Sequence, residues 1–211
     1  MAHCSMRRKQ IPQAGRRHLE HIATASGELG RLGEWLGEYR FREDCLDDGY
    51  VWLTCVLAAE GVSTGNAGVG CIITDSQGDV VAGGHNQVFA PYFRSDLHAE
   101  MVVLNTFETV NRDLDRLHGY TLYTSLEPCP MCTVRIITSG INRVLYAADD
   151  VTGGMLRTIE RLPDVWTGLA ARQTFARADC SPALIRVAAE IFLLNIHELN
   201  ERIAERGMPG H

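Results

Sequence analysis

The stretch Pro128-Cys129-Pro130-Met131-Cys132 and the upstream segment His98-Ala99-Glu100 decide how this sequence is interpreted. Cys129 and Cys132 are three residues apart, so on a helix their side chains lie on one face. Pro130 suits the first turn of a helix, where a backbone N–H has no partner within the helix. The two thiols are therefore predicted at a helix N-terminus, whose positive end lowers the pKa of a cysteine.

The chemistry expected at this point of the chain is that of a metal site. Cys129, Cys132 and the imidazole of His98 form a three-ligand set that suits zinc and leaves a fourth position for water. Glu100 can face the same site only if a helix begins at about His98, because residues two apart in mid-helix point away from each other. We then interpret Glu100 as a proton shuttle from the zinc-bound water to a leaving nitrogen.

Other readings of these motifs explain less. A single Cys-x-x-Cys is more often a redox pair or half of a structural zinc site. A structural site needs a second pair, and the sequence contains no other Cys-x-x-Cys. A redox pair explains neither His98 nor Glu100. The ordered pattern His-x-Glu and then Pro-Cys-x-x-Cys is typical of zinc nucleobase deaminases, and the 27 residues between its halves have room for one helix and one strand.

Composition favours one globular domain without a membrane span, since 45% of the residues are hydrophobic and no run of about 18 apolar residues occurs. Residues 1–42 carry a net charge of +4 and the remainder −10. A domain that binds nucleic acid normally shows the opposite sign, so we expect a small-molecule partner and no nucleic acid. Seven cysteines, an odd number, favour reduced thiols in a cytoplasmic protein.

Hydrophobic periodicity predicts alternating helices and strands. The predicted helices cover about residues 16–39, 47–60, 98–110, 129–140, 155–162 and 182–205. The predicted strands cover residues 68–74, 79–84, 120–125, 144–147 and 174–178. The first two strands are expected to be antiparallel, and the helix-bearing link between the last two favours a parallel pairing. Residues 1–15 are expected to be a flexible lead-in.

These segments together resemble the cytidine deaminase-like superfamily, in its CMP/dCMP-type zinc-binding branch. The likeness spans roughly residues 45–200 and is carried by residues 68–73, 83–86, 98–100, 122–132 and 141–144. It implies an α/β fold, a three-layer α/β/α sandwich around a five-stranded mixed sheet. It also implies one Zn²⁺ per subunit with a bound water, and a homo-oligomer, which we expect to be a dimer. Residues 1–43 would be an N-terminal extension and residues 44–211 the deaminase domain.

The resemblance also implies an activity, the zinc-dependent hydrolysis of C–N bonds in cyclic amidines. We expect the substrate to be a free amino-substituted nucleobase or analogue of the guanine or cytosine type, releasing ammonia. A tRNA adenosine deaminase, which makes inosine, and a nucleoside or nucleotide deaminase are the alternatives. A non-catalytic zinc-stabilised binding protein is a third hypothesis, which Glu100 opposes because a structural site needs no proton shuttle.

Substrate contacts are expected around the segment that follows the second strand. An amide side chain offers both a donor and an acceptor to a heterocycle edge, and relatives use an Asn at the place of Asn86 to contact the base. The predicted substrate-binding residues are Asn86, Phe93, Leu97, Ala99, Ser125 and Trp166. Arg135 departs from the family pattern, in which this position is usually small. Its guanidinium either reads a carboxylate or phosphate of the substrate or points to solvent.

Overall fold

The computed structural model describes residues 6–208. Its α-helices are α1 (Ile11–Glu20), α2 (Gly27–Glu38), α3 (Asp48–Ser63), α4 (Ala99–Val110), α5 (Pro130–Ser139), α6 (Asp164–Ala170), α7 (Pro182–Leu193) and α8 (Ile196–Glu205). Its strands are β1 (Gly70–Thr74), β2 (Val80–His85), β3 (Thr121–Leu126), β4 (Arg143–Ala148) and β5 (Thr174–Arg177). Short 3₁₀ helices occur at Arg8–Gln10 and Leu156–Arg161. No helix within residues 6–208 is long and apolar enough to cross a membrane.

The strands form one mixed sheet in the order β2-β1-β3-β4-β5. β1 is antiparallel to both β2 and β3, whereas β3, β4 and β5 run parallel. β1 and β3 are buried at every position, as expected of strands covered on both faces. α3 and α7 pack on each other and on the central strands, while α4 packs on β1 and β2 and contacts α5. These layers confirm the predicted α/β/α sandwich with a five-stranded mixed sheet.

The N-terminal region differs from its prediction. The single helix expected over residues 16–39 is two helices, α1 and α2, and α2 begins at Gly27, whose φ is +67°. Residues 11–15 were expected to be flexible, but they belong to α1. Pro12 does not prevent this, because it lies in the first turn of the helix, where proline is tolerated. Gly15 lies so close to Trp52 that a Cβ there would be 2.2 Å from the indole ring. Residues 1–5 of the expected lead-in lie outside the described residues.

The C-terminal helix is also divided, into α7 and α8, where one helix was predicted over residues 182–205. The break falls at Leu194 and Asn195. The Asn195 side chain donates a hydrogen bond to the carbonyl oxygen of Asn66 at 2.9 Å. This bond joins the start of α8 to the segment that precedes β1.

Two buried aspartates fix the first turn of α3 to the rest of the fold. Asp48 accepts hydrogen bonds from the backbone N–H of Ser181 and the hydroxyl of Tyr39, both at 2.9 Å. Asp47 accepts one from the hydroxyl of Tyr123, also at 2.9 Å. Because buried charged groups are tolerated only with such partners, these bonds hold α2, α3, β3 and α7 in one arrangement.

The packing of α3 on β1 is tested at Gly70. A Cβ at Gly70 would lie 2.2 Å from the carbonyl oxygen of Thr54 and 2.7 Å from the backbone nitrogen of Ala58, both in α3. We expect Gly70→Ala to lower the free energy of unfolding by about 1–3 kcal/mol, as overpacking does, measured by urea denaturation. Gly168→Ala is the control, because nothing lies within 4 Å of a Cβ at this position in α6. An unchanged stability of Gly70→Ala contradicts the close contact.

Candidate metal centre and active-site cavity

Two of the three candidate ligands are the N-cap residues of helices. His98 precedes α4 with φ −63° and ψ 157°, and Cys129 precedes α5 with φ −70° and ψ 170°. An N-cap side chain normally accepts a hydrogen bond from its own helix, but neither His98 nor Cys129 does so. Their side chains are therefore available to a ligand at the positive ends of both helices. The start of α4 at Ala99 is the geometry that the His-x-Glu motif required.

The donor atoms of His98, Cys129 and Cys132 all lie within 4.8 Å of one another. The Sγ of Cys129 and the Nδ1 of His98 are 3.7 Å apart. A tetrahedral zinc with Zn–S of about 2.3 Å and Zn–N of about 2.0 Å requires an S···N separation of roughly 3.5 Å. The observed spacing and the two-sulfur, one-nitrogen donor set thus fit zinc without a rearrangement of the backbone.

The two thiols of the motif are not equivalent. The hydrogen bond from Cys132, followed by that from His98, lowers the pKa of Cys129 to about 4. The same hydrogen bond to Cys129, together with burial, raises the pKa of Cys132. The hydrogen bond with Cys129 raises the pKa of His98. These contacts favour the thiolate form of Cys129, and a metal that takes all three ligands releases any protons they still hold.

Glu100 is the second residue of α4 and is buried, with 3% of its surface exposed. Its Oε1 accepts a hydrogen bond from the hydroxyl of Thr124 at 3.0 Å, so β3 fixes the orientation of the carboxyl group. Burial raises the pKa of Glu100 above that of an ordinary glutamate. A carboxyl group with a raised pKa can both take up and release a proton near neutral pH.

These groups open into a cavity of about 420 Å³. The candidate metal centre forms its floor, with His98, Ala99, Glu100 and Cys129. The segment after β2 forms one wall, and residues that follow β3 and β4 form a second. The third wall belongs to the C-terminal helices α7 and α8. Beyond the floor, the residues that line the cavity include Asn86, Val88, Phe89, Glu127, Asp150, Thr152, Phe192, Ile196, His197 and Asn200.

Two of the predicted substrate-binding residues, Asn86 and Ala99, line the cavity. Asn86 is 5% exposed, and its Oδ1 accepts a hydrogen bond from the N–H of Val88 at 3.1 Å. Within the described residues the amide nitrogen of Asn86 has no hydrogen-bond partner. A donor is therefore left for a ligand in the cavity.

The other four predicted contacts do not line the cavity. Ser125 is buried, and its hydroxyl accepts a hydrogen bond from the N–H of Gly70 at 3.1 Å. The carbonyl oxygen of Leu97 accepts one from the N–H of Gln87 at 2.9 Å. Both groups make hydrogen bonds that hold the scaffold around the cavity.

The two predicted aromatic contacts, Phe93 and Trp166, lie outside the cavity lining and pack against other side chains and helices. Phe93 meets the ring of Phe89 edge-on at 5.6 Å between centroids, and the Arg206 guanidinium lies 3.7 Å above its ring. Trp166 lies on α6, which packs against α5. Phe89, rather than Phe93, is the loop aromatic that reaches the cavity.

Sequence reasoning missed the wall formed by α8. His197 and Asn200 of α8 line the cavity, although they lie about 65 residues or more after the cysteine motif. Their three-residue spacing places them on one helix face, but such polar pairs are common on solvated helices. Only the contact of α8 with the segment after β2 identifies that face as a cavity wall.

Glu127 is another cavity residue without a predicted role. Its carboxylate accepts hydrogen bonds from the backbone N–H and the Nε of Arg157, both at 3.1 Å. A Cβ at Gly154 would lie 2.4 Å from the Glu127 carboxyl carbon, so this close approach requires glycine. The bonds hold the loop after β4, including Asp150, at the cavity edge.

Arg135 points away from the cavity. Its guanidinium pairs with the Glu108 carboxylate at 2.6 Å and approaches the Asn105 side chain at 3.4 Å, joining α5 to α4 on their outer surface. Arg135 does not line the cavity. Of its two predicted roles, the structure supports the one without substrate contact.

Comparison with known proteins identifies the family. The sequence model of the cytidine and deoxycytidylate deaminase zinc-binding region matches residues 47–148, which include His98, Glu100 and both motif cysteines. The tRNA-specific adenosine deaminase of Aquifex aeolicus is 31% identical over 108 residues, which are 51% of this chain and 69% of that protein. The chain belongs to this family of zinc-binding deaminases, and its cofactor is zinc.

Two further relatives act on different substrates. The tRNA-specific adenosine deaminase of Bacillus subtilis is 34% identical over 107 residues, covering 50% of this chain and 63% of that protein. The probable cytosine deaminase of Schizosaccharomyces pombe is 39% identical over 77 residues, covering 36% and 44%. The chain thus spans only about half the length of these two curated relatives, and they disagree about the substrate.

Solved structures share the fold. A structure from a study of A-to-I editing by tRNA:A34 deaminases aligns with a TM-score of 0.50 and 25% identity, covering 58% of this chain and 92% of that one. The guanine deaminase of Nitrosomonas europaea aligns with a TM-score of 0.55 and 21% identity, covering 75% and 90%. The second likeness extends over more of the present chain and, at this identity, concerns the fold alone.

The assignment of the metal ligands is tested with Cys129→Ala. We expect cobalt affinity at the cysteine site to fall by at least about tenfold, since even changes to residues that only orient a ligand weaken binding about 10–100-fold. Co²⁺ takes the place of zinc in this test, because its sulfur-to-cobalt absorption band reports binding at the cysteine site alone. Cys45→Ala is the matched control, because Cys45 lies outside the cluster. A Cys129→Ala protein with an unchanged band contradicts the assignment.

Proposed function

We propose that this protein is a zinc-dependent hydrolytic deaminase that releases ammonia from a free amino-substituted nucleobase or a close analogue. The observation that carries the proposal is the buried carboxyl group of Glu100 beside the donor atoms of His98, Cys129 and Cys132. A purely structural metal site needs no such carboxyl group. A cavity large enough for a heterocycle opens beside the Glu100 carboxyl group and the metal-ligand cluster.

His98, Cys129 and Cys132 are assigned as the zinc ligands and Glu100 as the proton carrier. Zinc, when bound, supplies the positive charge that lets water ionise near neutral pH. Glu100 takes up that proton on its carboxylate and delivers it to the exocyclic nitrogen. The water oxygen bonds to the amine-bearing ring carbon, the C–N bond breaks, and the protonated nitrogen leaves as ammonia. Thr124 holds the carboxyl group in place during both transfers. The raised pKa of Glu100 suits a group that must accept and then donate.

The remaining cavity residues are suited to holding a planar base. The free amide nitrogen of Asn86 can donate to a ring nitrogen or a carbonyl oxygen. Phe89 and Phe192 give apolar surface on two walls, and His197 and Asn200 add polar groups on the α8 side. A small number of polar groups in a mostly apolar pocket is the usual composition of a small-molecule site.

The preference for a free base rests on α8, which is fastened across one side of the cavity. Asn195 binds the carbonyl of Asn66, Leu199 is buried against Val88 and Phe89, and the Arg202 guanidinium lies 4.9 Å above the Phe89 ring. The cavity of about 420 Å³ lies within the range of roughly 300–1,000 Å³ found for small ligands. A folded RNA would have to displace this helix or enter from another side.

A tRNA adenosine deaminase is the second candidate. The relatives in Bacillus subtilis and Aquifex aeolicus favour it, so the negative charge of residues 43–211 does not by itself exclude nucleic acid. In this case Arg202 of α8 and Arg206 directly after it, whose guanidinium groups lie over the rings of Phe89 and Phe93, are candidate RNA-binding groups. The substrate panel described below distinguishes this RNA-binding hypothesis from the proposal of a free nucleobase as substrate.

The substrate is tested by ammonia release from the zinc-loaded protein. The panel contains guanine, cytosine, adenine, their nucleosides and monophosphates, and a tRNA anticodon stem-loop. We expect turnover of one or more free bases, because α8 leaves room for a heterocycle. Turnover of nucleosides or nucleotides alone, or of the stem-loop alone, contradicts the free-base substrate but keeps the deaminase. No ammonia from any member contradicts the deaminase itself.

The proton carrier is tested with Glu100→Gln, which preserves shape but cannot carry the proton. We expect kcat to fall by about 10²–10⁴-fold, the usual contribution of acid–base catalysis, with zinc content unchanged. Glu108→Gln is the matched control, because Glu108 lies on the exposed side of the same helix and pairs with Arg135. Ammonia release by Glu100→Gln at the wild-type rate refutes the role given to this carboxyl group.

A further inference from the structure

A second group of potential metal ligands lies between α1 and α3, outside the active-site cavity. It consists of His18 in α1, His21 directly after it, and Glu60 in the last turns of α3. The Nδ1 of His18 lies 2.7 Å from one carboxylate oxygen of Glu60, and the Nδ1 of His21 lies 2.5 Å from the other. None of these residues lines the cavity that contains Glu100.

The arrangement brings three donor atoms from two helices to one point. His18 and His21 are three residues apart, which places both imidazoles on one side of the chain, and all three donor atoms lie within 4.8 Å of one another. The Glu60 side chain is 12% exposed, whereas that of His21 is 65% exposed. The cluster is therefore anchored by a buried carboxylate and reached from solvent along the side of His21.

The charge around Glu60 leaves a place for a cation. A buried carboxylate requires charge or hydrogen-bond compensation. Within residues 6–208 the groups at salt-bridge distance from Glu60 are the imidazoles of His18 and His21, which carry charge only when protonated, and no Lys or Arg. Two imidazole nitrogens and one carboxylate oxygen are a donor set that zinc and other borderline divalent metals accept. Such an ion would use the lone pairs of all three side chains, and water would fill the remaining positions.

We propose that His18, His21 and Glu60 bind a second divalent transition-metal ion, distinct from the ion of the cysteine site, which fastens helix α1 to helix α3. The ion joins the N-terminal extension to the body of the fold. A neighbouring cavity of about 460 Å³ is lined by His18, Glu60 and the end of β2 at His85. His85 directly precedes Asn86, so this cavity reaches the end of the strand that leads into the active site.

The proposal is tested by Co²⁺ titration of the untagged full-length protein, followed by absorption spectra and elemental analysis. We expect two equivalents in the wild type. The double variant Cys129→Ala/Cys132→Ala keeps one equivalent, with cobalt d–d absorption but without the sulfur-to-cobalt band. His18→Ala/His21→Ala keeps one equivalent with that band. His118→Ala, which removes an exposed histidine that belongs to neither cluster, keeps two.

Glu60→Gln separates metal binding from a simple hydrogen-bonded clamp, because glutamine still reaches both imidazoles but has no charge. In the background that lacks Cys129 and Cys132, we expect Co²⁺ to raise the Tm of the protein with Glu60. Addition of Co²⁺ should leave the Tm of the Glu60→Gln protein unchanged. The two proteins should have equal helix content by circular dichroism. One equivalent in the wild type, or equal cobalt binding with and without Glu60, overturns the proposal. Neither readout depends on deaminase activity.

Discussion

The site depends on one constraint, the meeting of two helix N-termini at a single point. The N-cap residues of α4 and α5, His98 and Cys129, both direct their side chains to the metal position rather than to their own helices. The hydrogen bonds from Cys132 and His98 lower the pKa of Cys129, and the positive ends of the two helices also favour a thiolate there. An N-cap also leaves the regular helix, which is what allows His98 and Glu100 to face one site at a spacing of two.

The sheet creates this constraint. β3 ends at Leu126 and leads through Glu127 and Pro128 into α5, while Thr124 of the same strand fixes Glu100 of α4. β4, parallel to β3, delivers Asp150 to the same edge. In sheets with parallel strands, sites form at the carboxyl ends, and this cavity follows that rule. Asp47 and Asp48, at the start of α3, bind Tyr123 of β3 and Ser181 before α7, and so hold the layer of α3 and α7 in place on the sheet.

Local sequence predicted the parts of the fold and site that local chemistry determines. The Pro-Cys-Pro-Met-Cys segment predicted a helix start with two thiols, and all five strands occur within two residues of their predicted bounds. The single helices predicted over residues 16–39 and 182–205 were wrong. The first is interrupted before Gly27, whose φ is +67°, and the second is interrupted at Asn195, which makes a long-range hydrogen bond to the carbonyl oxygen of Asn66. The α8 wall could not be predicted for the same reason. A homodimer in the cytoplasm remains an expectation from the sequence.

The central claim is that one zinc is held where the two N-caps meet, with Glu100 close by but not a ligand. A crystal structure of the zinc-loaded protein, with anomalous diffraction at the zinc edge, tests it most directly. We expect a peak about 2.3 Å from the Sγ atoms of Cys129 and Cys132 and about 2.0 Å from the Nδ1 of His98. A peak coordinated by Glu100, or no peak at these three residues, would contradict it.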